Sequence, residues 1–336
     1  MSILRGEIAE QPAVLARLLD AEADSIEALS ARLRRDPPRF VLIGARGSSD
    51  NVARYAQHVL GHLCRIPVAL ATPSLYTLYG TAPRLDGALV IGISQSGASP
   101  DVTAVVADGT AQDQVTVAIT NDRESPMART AAHVIELGTG EERSVAATKT
   151  YTASLAAVAA LAAALAGTPA LRDELRAAPD TIAAQLALPV DAAVDVASGW
   201  QRCAVVGRGA NYATAFEAAL KVKELTGIAA EPYSPPDLMH GPVAVLGADN
   251  GLLAFAPPGA TAAGVAEAVT EAGRRGAPVI VASADPGASL PLVRMPEWLS
   301  PLGAVIPAQL LAAGVAERRG IEVDRPFGLS KVTRTT

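Results

Sequence analysis

Apolar positions along the chain fall into two kinds of run. Short continuous runs rich in Val, Ile and Leu occur at Arg39–Gly44, Pro67–Ala71, Ala88–Ile93, Val115–Thr120 and His133–Leu137. Runs of this length and composition read as strands buried on both faces. Between them apolar residues recur at helical spacing, as in Asn51–Leu63. Five strands alternating with helices predict a largely parallel sheet covered on both sides. Ahead of them, residues 4–35 read as an N-terminal helical arm, with Ile8, Val14, Leu15 and Leu18 among charged positions and punctuation at Gln11-Pro12. The arm shows no evident chemistry. An alanine-rich helix is expected to about Ala166, and a crossing helix over 170–188.

The second half repeats the first. Arg202–Gly209 echoes Phe40–Gly47, Gly251–Gly259 echoes the Ala88 strand and its turn, and Pro278–Asp285 echoes residues 115–122. The fold class expected is therefore α/β, with two tandem doubly wound domains, each a five-stranded, mainly parallel sheet flanked by helices. The expected parts are a helical arm at 1–35, a first domain at 36–168, a connecting helix at 169–190, a second domain at 191–318 and a tail at 319–336.

The chain of 336 residues is long enough for two full cores. A net charge of −6 and a pI near 5.3 argue against a nucleic-acid or anionic-membrane surface. The two cysteines, Cys64 and Cys203, lie far apart in no metal-ligand spacing and read as buried thiols of a reducing compartment. There is no apolar signal core at the start, and the alanine-rich run of 153–166 is short for a membrane span. A cytoplasmic protein is expected.

Candidate chemistry sits at the ends of strands. The Ala88 strand breaks into Ser94-Gln95-Ser96-Gly97, followed by Ser99-Pro100-Asp101. Ser99 suits a helix N-cap and Pro100 the first turn. A hydroxyl-rich turn at a helix start favours an anion. Without a Gly-Lys-Ser/Thr signature it suits a phosphate monoester rather than a nucleoside triphosphate. A second such turn, Ser48-Ser49, follows the first strand, and both fall at the carboxyl edge of the sheet, where open parallel sheets bind ligands. The second copy has Ala256-Pro257-Pro258-Gly259 where the first has Ser94–Gly97. Two prolines remove two donors, so one phosphate site per chain is expected.

Glu217, Lys221 and Glu224 share one helix face at i, i+4 and i+7, which alone reads as a solvated salt-bridge face. His240 lies between a proline-rich loop and Gly241-Pro242. His58 and His62 are spaced i, i+4 but no third metal ligand is apparent, so a surface role is expected, and His133 reads as structural.

Ser94–Gly97, Val145–Lys149, Lys221–Glu224, His240–Pro242, Lys331 and the Glu7–Pro12 segment together resemble the tandem sugar isomerase (SIS) domain family. The chain is similar to the isomerase half of glucosamine-6-phosphate synthase and still more to the stand-alone glucosamine-6-phosphate deaminases on the same fold. The resemblance implies two SIS domains. It implies that Ser49, Ser94, Gln95, Ser96 and Ser99 bind phosphate and that the Val145 backbone contacts the sugar. It implies that Glu224 moves a proton between C1 and C2 beside Lys221. It implies that His240 opens the sugar ring from the neighbouring subunit of a homodimer that shares its active sites, and that Lys331 contacts the open-chain sugar. Ala147 stands where the synthase has a substrate-touching serine. No metal or cofactor is implied. With Met1-Ser2 at the start and no cysteine before Cys64, a glutamine-hydrolysing domain is not expected. The reaction expected is isomerising deamination of glucosamine 6-phosphate to fructose 6-phosphate and ammonia. The alternatives are isomerisation or deglycation of another amine-linked sugar phosphate, and a non-catalytic sugar-phosphate sensor.

Overall fold

The structure, a computed structural model, describes residues 2–326, 328 and 331. The chain opens with three helices, α1 (Ile3–Ala9), α2 (Gln11–Ala21) and α3 (Ala23–Arg35). Then follow β1 (Phe40–Ala45), α4 (Ser48–Cys64), β2 (Val68–Leu70), the one-turn α5 (Ser74–Thr77), β3 (Ala88–Ile93), α6 (Pro100–Ala111), β4 (Val115–Thr120), α7 (Pro126–Thr130), β5 (His133–Glu136) and α8 (Lys149–Ala166). Three short helices come next, α9 (Pro169–Arg176), α10 (Ala178–Leu186) and α11 (Asp191–Ser198). The second copy comprises β6 (Arg202–Val206), α12 (Asn211–Thr226), β7 (Ala229–Tyr233), α13 (Pro235–Met239), a 3-10 turn at Pro242–Val245, β8 (Asn250–Phe255), α14 (Ala262–Arg274), β9 (Val279–Ser283), β10 (Leu290–Pro291) and α15 (Ser300–Arg318). Two expected helices are broken: the arm is three helices and the 170–188 helix is two, α9 and α10, the second with Pro179 in its first turn. A proline suits a helix start and disfavours α conformation in the residue before it.

Each copy holds one five-stranded sheet, in the orders β2-β1-β3-β4-β5 and β10-β9-β8-β6-β7. Read from the β7 edge, the second repeats the connectivity of the first. Every strand pair in both sheets is parallel. All six residues of β3 are buried, as a strand covered by helices on both faces requires.

The chain divides into two compact units. One comprises residues 13–142 and 149–176, with the first sheet. The other comprises 2–12, 143–148 and the described chain from Ala177 onward, with the second sheet. In the first unit α8 packs on α3 and α4. Its 18 residues have the length and mean hydropathy of a membrane-crossing helix, but 83% of that window is buried inside the protein. From Leu155 onward the helix is apolar all round, as a helix buried in the core of its unit requires. In the second unit α15 takes the corresponding place against α12, buried along almost its whole length.

The segment around α1 is a clamp rather than a passive arm. Gln11, fully buried, donates to the Ile8 carbonyl and to Gln309 on α15 (2.8 Å). Asp324 accepts from the Ile3 and Leu4 N–H groups at 2.9 Å each, so the stretch after α15 caps the start of α1. The buried Glu7 carboxylate accepts from the Arg143 N–H and from both the N–H and the hydroxyl of Ser144. This bonding ties the 143–148 segment into the second unit. Glu7→Ala leaves those donors without an acceptor and is expected to lower the unfolding free energy by about 2–3 kcal/mol. Urea denaturation measures this, and an unchanged midpoint would show that water replaces the carboxylate.

Candidate functional site

Strands β1 and β3 are neighbours, with Phe40–Ala45 in register against Ala88–Ile93. The chain leaves β1 toward β2 on one side and β3 toward β4 on the other. This is the switch point at which doubly wound sheets bind ligands. Both hydroxyl-rich turns lie there. Ser48 and Ser49 form the first turn of α4, entered through Gly47 at φ 56°. Gly47 gives no side-chain cap, and the Ser49 and Asp50 N–H groups turn back to the Arg46 and Gly47 carbonyls, which leaves the Ser49 hydroxyl as the donor of this turn.

The Ser94–Ser99 turn is tied down from behind. The Gln95 carbonyl accepts from the Asn121 N–H (3.0 Å) and the Thr120 hydroxyl (3.1 Å), and the Gly97 carbonyl accepts from the Met127 N–H (3.0 Å). Gly97 adopts φ 57°, and a Cβ there would come within 2.1 Å of the Ser125 hydroxyl, so glycine is required. Ser99 is the N-cap residue of α6, but its side chain makes no capping bond. Among the described residues the hydroxyls of Ser49, Ser94 and Ser99 and the Gln95 amide make no hydrogen bond to protein. Four neutral donors thus remain beside two helix starts, an arrangement suited to an anion.

Two residues that sequence reasoning passed over join the turns. Arg46 follows β1, and Asp101 lies in the first turn of α6. The Arg46 guanidinium donates to Asp101 Oδ2 through Nε (3.0 Å) and Nη2 (2.5 Å). A signal was present, since Arg46-Gly47 recurs as Arg208-Gly209 in the second copy.

The second copy fills its own turn. The Glu297 carboxylate accepts from the Ala260 N–H and the Thr261 hydroxyl, each at 2.8 Å. Gly259 makes room for it, since a Cβ there would meet Glu297 Oε2 at 2.2 Å. A protein carboxylate thus takes up the Thr261 hydroxyl, whose counterpart in the first copy, the Ser99 hydroxyl, makes no bond among the described residues.

The second unit carries an acid–base cluster on α12. Lys221 Nζ lies 2.5 Å from Glu224 Oε2 and 3.4 Å from Glu217 Oε1. The expectation of a solvated face is overturned: the Lys221 and Glu217 side chains are 1% and 0% exposed, because α12 packs against α15 and β7. Glu224 is the reachable member, its side chain 25% exposed. His240 is exposed at the C-cap of α13, whose start is capped by Ser234. It lines a surface cavity of about 300 Å³ with Arg208, Met239, Gly264 and Glu267. Val145 and Ala147 are half-buried in the segment held by Glu7, and Lys331 is half-buried beyond α15. Its neighbours Phe327, Leu329, Ser330 and residues 332–336, within the expected tail, lie outside the described residues.

His58 and His62 stack with ring centroids 6.2 Å apart on an exposed face of α4. Among the described residues no group of three or more His, Cys, Asp or Glu side chains is arranged to hold a metal. Desolvation, and then the nearby Arg32, lower the pKa of His133. Burial pushes the Cys64 thiol up to about 11 and Cys203 to about 12, so neither is a ready nucleophile.

Two parallel sheets of one connectivity, with a hydroxyl-rich turn at the switch point of the first, define a tandem doubly wound protein of the sugar-phosphate isomerase type. The chain belongs to the SIS domain family, whose profile matches residues 35–164 and 198–291. It is 34% identical to a glutamine–fructose-6-phosphate aminotransferase (isomerizing) of Gloeobacter violaceus over 97% of its own length, and spans 57% of the length of that relative. A provisionally described phosphosugar isomerase of Silicibacter pomeroyi DSS-3 superposes with a TM-score of 0.90 at 35% identity, covering 96% of this chain and 100% of the other. The glucosamine-6-phosphate deaminase of Thermotoga maritima shares the fold, with a TM-score of 0.80 at 21% identity over 99% of this chain and 100% of its own.

Removing the buried cation takes from the buried Glu217 its ion-pair partner. Lys221→Met is expected to destabilise by about 3–5 kcal/mol. Combining it with Glu217→Leu should recover most of the loss, because a buried pair and an apolar pair of similar volume are close in energy. Chemical denaturation of the wild type and the two variants checks this, and equal losses in the single and double variants would contradict it.

Proposed function

We propose that the protein catalyses isomerising deamination of glucosamine 6-phosphate. In the open-chain aldehyde, Glu224 takes the proton from C2 and returns it at C1. The C2 amine becomes an imine, water adds to it, and fructose 6-phosphate and ammonia leave. The observation that carries this reading is the Glu224 carboxylate, reachable from solvent while bonded at 2.5 Å to a buried ammonium. A lone accessible carboxylate with a fixed cation beside it suits a proton shuttle whose intermediate carries negative charge. The Ser94–Ser99 turn and Ser49 bind the phosphate, and the Val145 segment, fixed by Glu7, meets the sugar. His240, an exposed imidazole, assists ring opening, and Lys331 contacts the open chain. The likeness to the Gloeobacter glutamine–fructose-6-phosphate aminotransferase (isomerizing) supports this substrate class.

Ammonia release should be measured over a panel of aminosugar 6-phosphates, with glucosamine 6-phosphate expected to turn over best. Glu224→Gln should lower kcat by about 10²-fold or more with sugar-phosphate binding retained, and should abolish deuterium exchange at C2. Exchange persisting in that variant would assign the proton transfer to another group. Ketose formation without ammonia would favour simple isomerisation.

The exposed position of His240 supports a homodimer in which each subunit lends this residue to the other. Mixing inactive His240→Ala with inactive Glu224→Gln protein should then restore part of the activity, because some mixed dimers hold one intact site. No recovery on mixing, with subunit exchange verified, would rule out the sharing.

A further inference from the structure

We propose that Arg46 is a direct ligand of the substrate phosphate, clamped for that task by the buried carboxylate of Asp101. The inference rests on the reading of the Ser94–Ser99 turn as the phosphate site, and adds to it a charged group that the serines do not supply.

Asp101 is 2% exposed, while the Arg46 side chain is 49% exposed. Both bonds from Arg46 run to one carboxylate oxygen, Oδ2, and Oδ1 is buried with no partner among the described residues. The clamp therefore uses two guanidinium N–H groups. The other three have no protein acceptor among the described residues. A guanidinium fixed through one edge keeps the planar donor geometry that matches phosphate oxygens. The pair also settles the local charge. A carboxylate in the first turn of α6 would repel a phosphate at that helix start, and Arg46 offsets it.

The second copy is an internal control. Arg208 matches Arg46, but Ala263 takes the place of Asp101 as the second residue of its helix. No carboxylate clamps Arg208 among the described residues. Its guanidinium instead lies against Gly264, where a Cβ would come within 2.5 Å of Nη1. That copy's turn is occupied by Glu297. The arginine–aspartate clamp accompanies the turn whose donors are free, and is missing from the turn that is filled.

The test is calorimetric binding of fructose 6-phosphate, together with steady-state kinetics on glucosamine 6-phosphate, for wild type, Arg46→Met, Arg46→Lys, Asp101→Asn and the Arg46→Met/Asp101→Asn double variant. Arg46→Met should weaken binding and raise KM by about 10-fold or more, the loss of a charge-assisted bond, with KM changing more than kcat. Arg46→Lys should recover part of the loss. The double variant should remain as impaired as Arg46→Met. Recovery of wild-type affinity in the double variant would mean that Arg46 only neutralises Asp101, and would overturn the proposal, as would unchanged binding in Arg46→Met. Thermal melting of each variant separates these results from misfolding, and Arg46→Lys, which keeps the charge, carries the test if Arg46→Met does not fold. Wild-type protein that binds no sugar phosphate would instead overturn the reading of the turn itself.

Discussion

The constraint on which the first unit depends is the parallel pairing of β1 with β3. Parallel strands all end at one edge, and each is followed by a helix whose first N–H groups face that edge. Because the chain departs from β1 and β3 in opposite directions, no crossover helix covers the space above them. The Ser48-Ser49 and Ser94–Ser99 turns therefore become neighbours by topology alone. The positive φ of Gly47 and Gly97, and the backbone bonds that draw the Gln95 and Gly97 carbonyls backward, then decide that donors rather than acceptors line the edge.

In the second unit the decisive feature is a charge inside a helix interface. Lys221 is enclosed where α12 meets α15, and two carboxylates on its own helix balance it. Such a cluster contributes little net stability over an apolar one. What it does provide is a fixed position for Glu224, since a carboxylate bonded to an immobile ammonium has few rotamers left. Glu7 acts on the 143–148 segment in the same manner, exchanging the freedom of a loop for bonds to a buried acceptor.

Much of this was legible in the sequence. Continuous Val/Ile/Leu runs such as Ala88–Ile93 announced buried parallel strands, and the recurrence of Arg46-Gly47 as Arg208-Gly209 announced the repeat. Both hydroxyl turns were visible because serine and glycine at a strand end are a local signature. The roles of Glu7, Asp101 and Glu297 were hidden. Each acts through a partner distant in sequence, Glu7 across 136 residues to Arg143 and Asp101 across 55 to Arg46. The burial of Lys221 was misread for a related reason. Helical spacing shows which residues share a face, but the element covering that face is α15, far along the chain.

Comparing the two copies shows how a repeat divides its work without changing its fold. The strand order, the arginine after the first strand and the glycine in the turn are kept in both. What differs is how the electrostatic demand at the turn is met. In the second copy Glu297 supplies the anion from within the chain, and Pro257 and Pro258 remove donors that would otherwise be left unpaired. Among the described residues no carboxylate takes that place in the first copy. The acids in the first turns of α6 and α4 are both paired, Asp101 with Arg46 and Asp50 with Arg54. Free hydroxyls, two helix starts and a half-exposed guanidinium are costly to keep together unless a ligand satisfies them. The copy that keeps them is therefore the one whose turn suits an anionic ligand, whereas in the copy that has cancelled them the buried charges lie on α12 instead.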